Sequence, residues 1–186
     1  MGKVLLYSGG MDSYIIRKLL NPDICLYIDF GIEQNKYEMK LLPEDVKVVS
    51  LPLSQFMSTD GNNTIILRNL IFAAIAVNYG DHILIGGVAD DIHYDSAKEF
   101  LKDETQLFNS FLVNEGMNEV FIEAPFKDYT KEELLEKYVD SGFDIEDLYK
   151  FSWSCYSPHN GKECGKCPAC RRKFQALELV ASKVRG

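Results

Sequence analysis

The sequence predicts an α/β fold, doubly wound around a mainly parallel five-stranded sheet, with a helical tail at its C-terminus. Three observations carry this. Short apolar runs alternate five times with longer helix-like stretches, a glycine turn follows the first apolar run, and four of the five cysteines crowd into the sixteen residues from Cys155 to Cys170. Strand alternating with helix argues for parallel strands covered on both faces, because such strands read as near-continuous apolar runs.

Taken in order, "KVLLY" (Lys3 to Tyr7) reads as a buried strand, followed by the turn and a helix around Tyr14 to Leu20. "ICLYIDF" (Ile24 to Phe30) is the second strand and "VKVVSL" (Val46 to Leu51) the third, with a polar helix from about Glu33 to Leu42 between them. An apolar helix over Leu67 to Tyr79 leads to the fourth strand, "HILIGG" (His82 to Gly87). A long helix from Ala97 to Glu115 precedes the fifth strand, "EVFIEAP". Thr130 and Glu133 then form a T-x-x-E capping box. In the helix they open, Leu134, Leu135, Tyr138 and Val139 share one face. The expected organisation is an α/β domain over residues 1–150 and a cysteine-rich knuckle with a helix over 151–186, both in one compact unit.

Composition is ordinary for a soluble globular chain, with 46% apolar and 26% charged residues in 186. The formal charge of −8 disfavours indiscriminate binding to nucleic acid or anionic membrane. The longest apolar run, Leu70 to Val77, is far short of the roughly 20 residues that cross a bilayer. No secretory h-region precedes the first glycines, so the expected location is the cytoplasm, where thiols stay reduced.

Two stretches carry chemistry. "YSGGMDS" lies at the carboxyl end of the first strand, where open parallel sheets bind ligands. Gly9 and Gly10 permit a tight turn and close backbone approach. The helix that follows directs its unpaired N–H groups and positive dipole end at the same point, which suits phosphate, and Ser8 and Ser13 add hydroxyl donors. The bland alternative is a strand-to-helix turn with Asp12 as its N-cap. The second stretch has the spacing Cys155-x8-Cys164-x2-Cys167-x2-Cys170. Two C-x-x-C steps present three sulfurs to one point and Cys155 closes a tetrahedron, the closed tetrathiolate arrangement of structural zinc. A disulfide framework, an iron–sulfur cluster and a redox pair are the rivals; the compartment and the spacing favour zinc. His159 reads as an exposed loop residue, and Cys25, in an apolar strand, as core.

The hexapeptide "SGGMDS" resembles the S-G-G-x-D-S motif of the PP-loop ATP pyrophosphatases. Together with "SWSCYSPHNGKECGKCPACRRK" it resembles the QueC (ExsB) family, the 7-cyano-7-deazaguanine synthases. Further matches are "IDFGIEQNKYEMK", "LRN" at Leu67 to Asn69, and "GGVADDIHYDSAKEF", so the resemblance runs from Val4 to about Phe174. It implies the adenine-nucleotide alpha hydrolase-like (HUP) form of the sheet, ATP and Mg²⁺ as cofactors beside Zn²⁺, and a homodimer. The implied reaction converts 7-carboxy-7-deazaguanine and ammonia to the nitrile 7-cyano-7-deazaguanine. Adenylation supplies the carboxylate with a leaving group, ammonia displaces AMP to give an amide, and a second activation dehydrates it.

By the same resemblance Tyr7, Ser8, Gly9, Gly10, Met11, Asp12 and Ser13 bind ATP, with Asp12, Ser13 and Arg68 as candidate catalytic residues. Asp29, Gly31, Asn69, Asp91, Tyr94 and Asp95 are the candidate substrate contacts. Trp153 and Tyr156 either stack on a base or pack on the knuckle. The segment before Arg68 is shorter than the family pattern, and "HYDSAK" replaces its Tyr-Pro-Asp-like step. These departures keep other readings open: adenylation with a different amine acceptor, a tRNA-modifying PP-loop enzyme, or a non-catalytic adaptor. No stable nucleic-acid partner and no membrane association are expected.

Overall fold

The computed structural model describes residues 2–57, 65–91 and 94–185, with only the backbone at 184 and 185. The segment 58–64, part of the shortened stretch before Arg68, lies outside the described residues, as does His93 of "HYDSAK".

Five strands form one parallel sheet: β1 (Lys3–Leu6), β2 (Ile24–Asp29), β3 (Lys47–Ser50), β4 (His82–Ile85) and β5 (Phe121–Glu123). Their order is β3-β2-β1-β4-β5. Register is fixed by pairs such as Val4 with Ile24 and Ile83, and Leu26 with Lys47. The chain winds outward from β1 to β3, then returns to lay β4 on the other side of β1. The loops after β1 and β4 therefore diverge, and a crevice opens between them at the carboxyl edge of the sheet.

Alternate residues of each strand serve opposite cores. Leu5, Tyr7, Cys25, Tyr27 and Leu84 pack against α1 (Met11–Leu20), α5 (Lys131–Asp140) and α7 (Pro168–Arg185), where Ile15, Leu134, Leu135, Tyr138, Leu177 and Val180 are buried. Val4, Leu6, Leu26, Ile28, Ile83 and Ile85 pack on the other face, against α3 (Arg68–Ala76) and α4 (Lys98–Asn114) through Ala73, Ala76 and Leu101. Each fully buried aliphatic side chain here is worth about 1.5–3 kcal/mol of transfer free energy. In the tail helix, Leu177 and Val180 are buried in the core. The side chain of Val184 is outside the described residues.

Three elements depart from expectation. The helix expected from Glu33 to Leu42 is broken into α2 (Asn35–Glu38) and a 3₁₀ turn over Met39–Leu41. Leu42 precedes Pro43, whose ring pushes it into extended backbone, at φ −65° and ψ 131°. The fifth strand is only three residues long, because the Asn109 side chain bonds both the N–H and the C=O of Val120 (2.8 and 2.9 Å). A short helix, α6 (Glu146–Phe151), was not legible; it buries Leu148 and stacks Phe151 on Tyr14 at 6.2 Å. Among the described residues, no helix is long and apolar enough to cross a membrane.

Candidate active site

The loop after β1 is built as a cradle. Gly9 adopts φ +73°, a conformation in which any Cβ is strained. Gly10 stands at the N-cap of α1 with no side-chain capping bond, which leaves the opening N–H groups of the helix for a ligand. Ser8 and Ser13 lie with their hydroxyl oxygens 3.1 Å apart. The Gly10 N–H donates to Ser8 Oγ (3.3 Å), and Ser13 Oγ–H donates to the Gly10 carbonyl (3.0 Å). Tyr7 and Met11 bury their side chains in the core (each 2% exposed), so only their backbones face the crevice. Burial also pushes the Tyr7 phenol far above its usual range.

Asp12 does not cap the helix. Both its carboxylate oxygens accept from Lys131 Nζ at 2.6 Å, and the lysine side chain is only 10% exposed. Sequence reasoning missed Lys131, since nothing local marks it. The partly buried pair places a cation beside the anion cradle, where it offsets the one carboxylate in the loop.

The loop after β4 forms the opposite wall. Gly86 comes so close to α1 that a Cβ there would stand 3.9 Å from Ser13. The Val88 N–H donates to Asp91 Oδ2 (3.0 Å), and Asp91 Oδ1 accepts from Arg172 of α7 (3.0 Å). Lys127, also unmarked in the sequence, donates to the carbonyls of Val88 and Asp91 (3.0 and 3.1 Å) and to Ser96 Oγ (3.3 Å). Asp95 Oδ2 accepts the Asn69 N–H at 3.3 Å, which ties the first turn of α3 to this wall. Tyr94 is exposed. Arg68 follows Leu67, whose φ of +55° is unusual for a leucine and is the kind of strain that gathers at binding sites. Asp29 folds back on its own turn, its Oδ1 accepting the Gly31 N–H at 3.0 Å, with Gly31 at φ +81°. The structure thus unites Asp95 with Asn69 and Asp91 with Arg172, and leaves Asp29 and Gly31 at a separate turn of the rim.

The four tail cysteines converge, with their sulfurs all within 4.8 Å of one another. Cys155 and Cys170 are fully buried. A hairpin through Asn160 and Gly161, both at positive φ, turns the chain back, and the N-G step is the pair such turns favour. Gly165, at φ +67°, makes the knuckle, in which the N–H groups of Lys166 and Cys167 point at Cys164 Sγ (3.4 and 3.3 Å). Those donors hold the Cys164 thiol below its usual range, while burial pushes Cys155 and Cys170 up. The four sulfurs are close enough to share one ion, and this donor set fits one tetrathiolate metal ion. His159 is exposed at the hairpin.

The cluster is tied to the loop after β1. Trp153 stacks on Tyr37 of α2 at 5.0 Å and donates Nε1–H to the Cys155 carbonyl (3.0 Å). Its backbone N–H donates to the Gly9 carbonyl at 2.8 Å. Lys173, 1% exposed, braces the knuckle through the Ser152 carbonyl (2.8 Å) and Glu163 Oε2 (2.9 Å). Trp153 therefore packs on the knuckle, whereas Tyr156 is exposed.

A family model described as queuosine biosynthesis protein QueC matches residues 37–181. The chain is 32% identical over 123 residues to the 7-cyano-7-deazaguanine synthase of Methanobrevibacter smithii, a match spanning 62% of this chain and 50% of that protein. It is 27% identical over 215 residues to the 7-cyano-7-deazaguanine synthase of Pseudoalteromonas translucida, covering 95% of this chain and 93% of that one. Among solved structures, the predicted subunit of tRNA methyltransferase from Methanocaldococcus jannaschii superposes with a TM-score of 0.52 at 18% identity, over 75% of each chain; this likeness is one of fold.

Proposed function

The chain belongs to the queuosine biosynthesis protein QueC family, and from that premise we propose that it is a 7-cyano-7-deazaguanine synthase. It adenylates 7-carboxy-7-deazaguanine with ATP, forms the amide with ammonia, and dehydrates the amide to the nitrile after a second activation. The observation that carries the reading is the joining of the two motifs: the Gly9 carbonyl of the phosphate cradle accepts from Trp153 of the cysteine knuckle at 2.8 Å.

In this reading the N–H groups opening α1 and the hydroxyls of Ser8 and Ser13 hold the pyrophosphate of ATP. Gly9 and Gly10 let it approach the backbone. Preorganised donors of this kind stabilise charge as it develops on the leaving group. Lys131 adds a positive charge that follows the phosphate oxygens when they displace the Asp12 carboxylate. Asp12 is then the carboxylate placed to hold a Mg²⁺ that enters with ATP, where the ion would offset phosphate charge. Arg68, at the start of α3, would meet the substrate acid or the α-phosphate, and Asn69, Asp91, Tyr94 and Asp95 would contact the heterocycle. Asp29 and Gly31 shape the opposite rim. Cys155, Cys164, Cys167 and Cys170 hold zinc, whose role is to fix the knuckle rather than to react, since four thiolates leave no open position.

The test is direct. Purified protein incubated with ATP, Mg²⁺, ammonium and 7-carboxy-7-deazaguanine should yield a product with the mass of the nitrile, together with AMP and pyrophosphate. Absence of that product overturns the reading.

A further inference from the structure

Beside the loop after β1 stands a carboxylate that the reaction above has not used. Glu38, in α2, lays its aliphatic stem against the loop after β1: a Cβ placed on Gly9 would lie 3.5 Å from Glu38 Cβ and 3.8 Å from its Cγ. Its position is engineered by two neighbours. Glu38 Oε2 accepts from the Tyr27 hydroxyl at 2.6 Å and from the Asn35 amide at 3.3 Å. The same Asn35 amide donates to Tyr27 O at 2.6 Å, and Asn35 Oδ1 takes the Ile32 N–H at 3.0 Å. Asn35 is 1% exposed and Tyr27 equally so, which makes this a rigid bracket for one carboxylate. No described residue donates to Oε1.

The groups that act on Glu38 come from three elements and from its own surroundings. Burial raises its pKa above the usual carboxylate range; the hydrogen bonds from Tyr27 and Asn35 and the positive charge of Arg68 act the other way, and Asp29 adds to the rise. Tyr156, in the tail, faces the same carboxylate and Arg68. A carboxylate more basic than a surface one, fixed beside the glycine loop and an arginine, has the character of a proton acceptor.

We propose that Glu38 is the general base of the amide-forming step, taking a proton from the ammonia nitrogen as it adds to the adenylated carboxyl carbon. The proposal rests on the adenylation reading above. The C–N bond forms, the C–O bond to AMP breaks with its electron pair leaving on the phosphate oxygen, and the nitrogen's proton passes to the Glu38 carboxylate. Ammonia is the nucleophile and AMP the leaving group, so no further reactant is needed.

Hydroxylamine separates the steps. It is unprotonated at neutral pH and traps an acyl adenylate as a hydroxamate with little help from a base. With saturating ammonium, Glu38→Gln should lose amide formation by on the order of a hundredfold or more, while hydroxamate formation from the same acid and ATP changes less than severalfold. An equal loss with both nucleophiles, or undiminished amide formation, overturns the role of Glu38. No hydroxamate from the wild-type protein overturns the adenylation reading and this proposal with it. Should Glu38→Gln not fold, Tyr27→Phe carries the test. Removing the donor to the ionised carboxylate should move the acid limb of the ammonia-dependent kcat to higher pH, and an unmoved limb overturns the proposal.

Discussion

Two side chains decide the electrostatics of the crevice and its flank. Lys131 binds both oxygens of Asp12 at 2.6 Å, 119 residues away in sequence. A charge-assisted bond to phosphate contributes about 1.5–3 kcal/mol. Lys131→Met should therefore raise the KM for ATP on the order of tenfold or more, read from pyrophosphate release at varied ATP, and Lys131→Arg should recover part of it. Glu104 is the opposite case. This residue of α4 is 2% exposed, and neither of its carboxylate oxygens has a partner among the described residues. Burial first, then the nearby Asp95 charge, pushes its pKa up to about 7 from the ordinary 4.5. The folded protein therefore holds a proton that the unfolded chain has released, so stability falls as pH rises from about 4.5 to about 7. Glu104→Gln should lose this pH dependence and be more stable than the wild type at pH 8, by about 2 kcal/mol in urea unfolding.

At the scale of elements, the cap of α5 matters because this helix carries Lys131. Thr130 Oγ1 accepts the Glu133 N–H at 3.2 Å, and Glu133 Oε2 accepts the Thr130 N–H at 2.8 Å, so the capping box read in the sequence forms in full. Thr130→Ala should cost about 1 kcal/mol in denaturant unfolding. It should also fray the turn that presents Lys131, so ATP affinity should fall with stability. The box was legible because its two partners are three residues apart. The end of the 3₁₀ turn at Leu42 could likewise have been read from Pro43. The shortness of β5 could not, because it depends on Asn109 reaching across from another element.

For the whole molecule, Trp153 joins the cysteine knuckle to the glycine loop after β1. Metal analysis should find about one zinc per chain, the stoichiometry of a tetrathiolate site. Trp153 is the only tryptophan, stacked on Tyr37 and bonded to Cys155 and Gly9, so its fluorescence reports the joint. Chelation should change that fluorescence and lower ATP turnover in parallel, and zinc should restore both. A loss of turnover with unchanged fluorescence would mean the knuckle does not hold the cradle. By itself the sequence determined the five alternations, the glycine cradle, the capping box and the four thiolates. Each of these is written in neighbouring residues, by strand and helix periodicity, by the φ freedom of glycine or by a C-x-x-C step. Only the tertiary structure decided that Lys131 meets Asp12, that Glu38 packs against Gly9, that Arg172 holds Asp91 and that Trp153 bridges the two motifs. Those meetings depend on the strand order β3-β2-β1-β4-β5, which brings loops far apart in the chain to one edge of the sheet, and no local pattern of residues encodes which of them will touch.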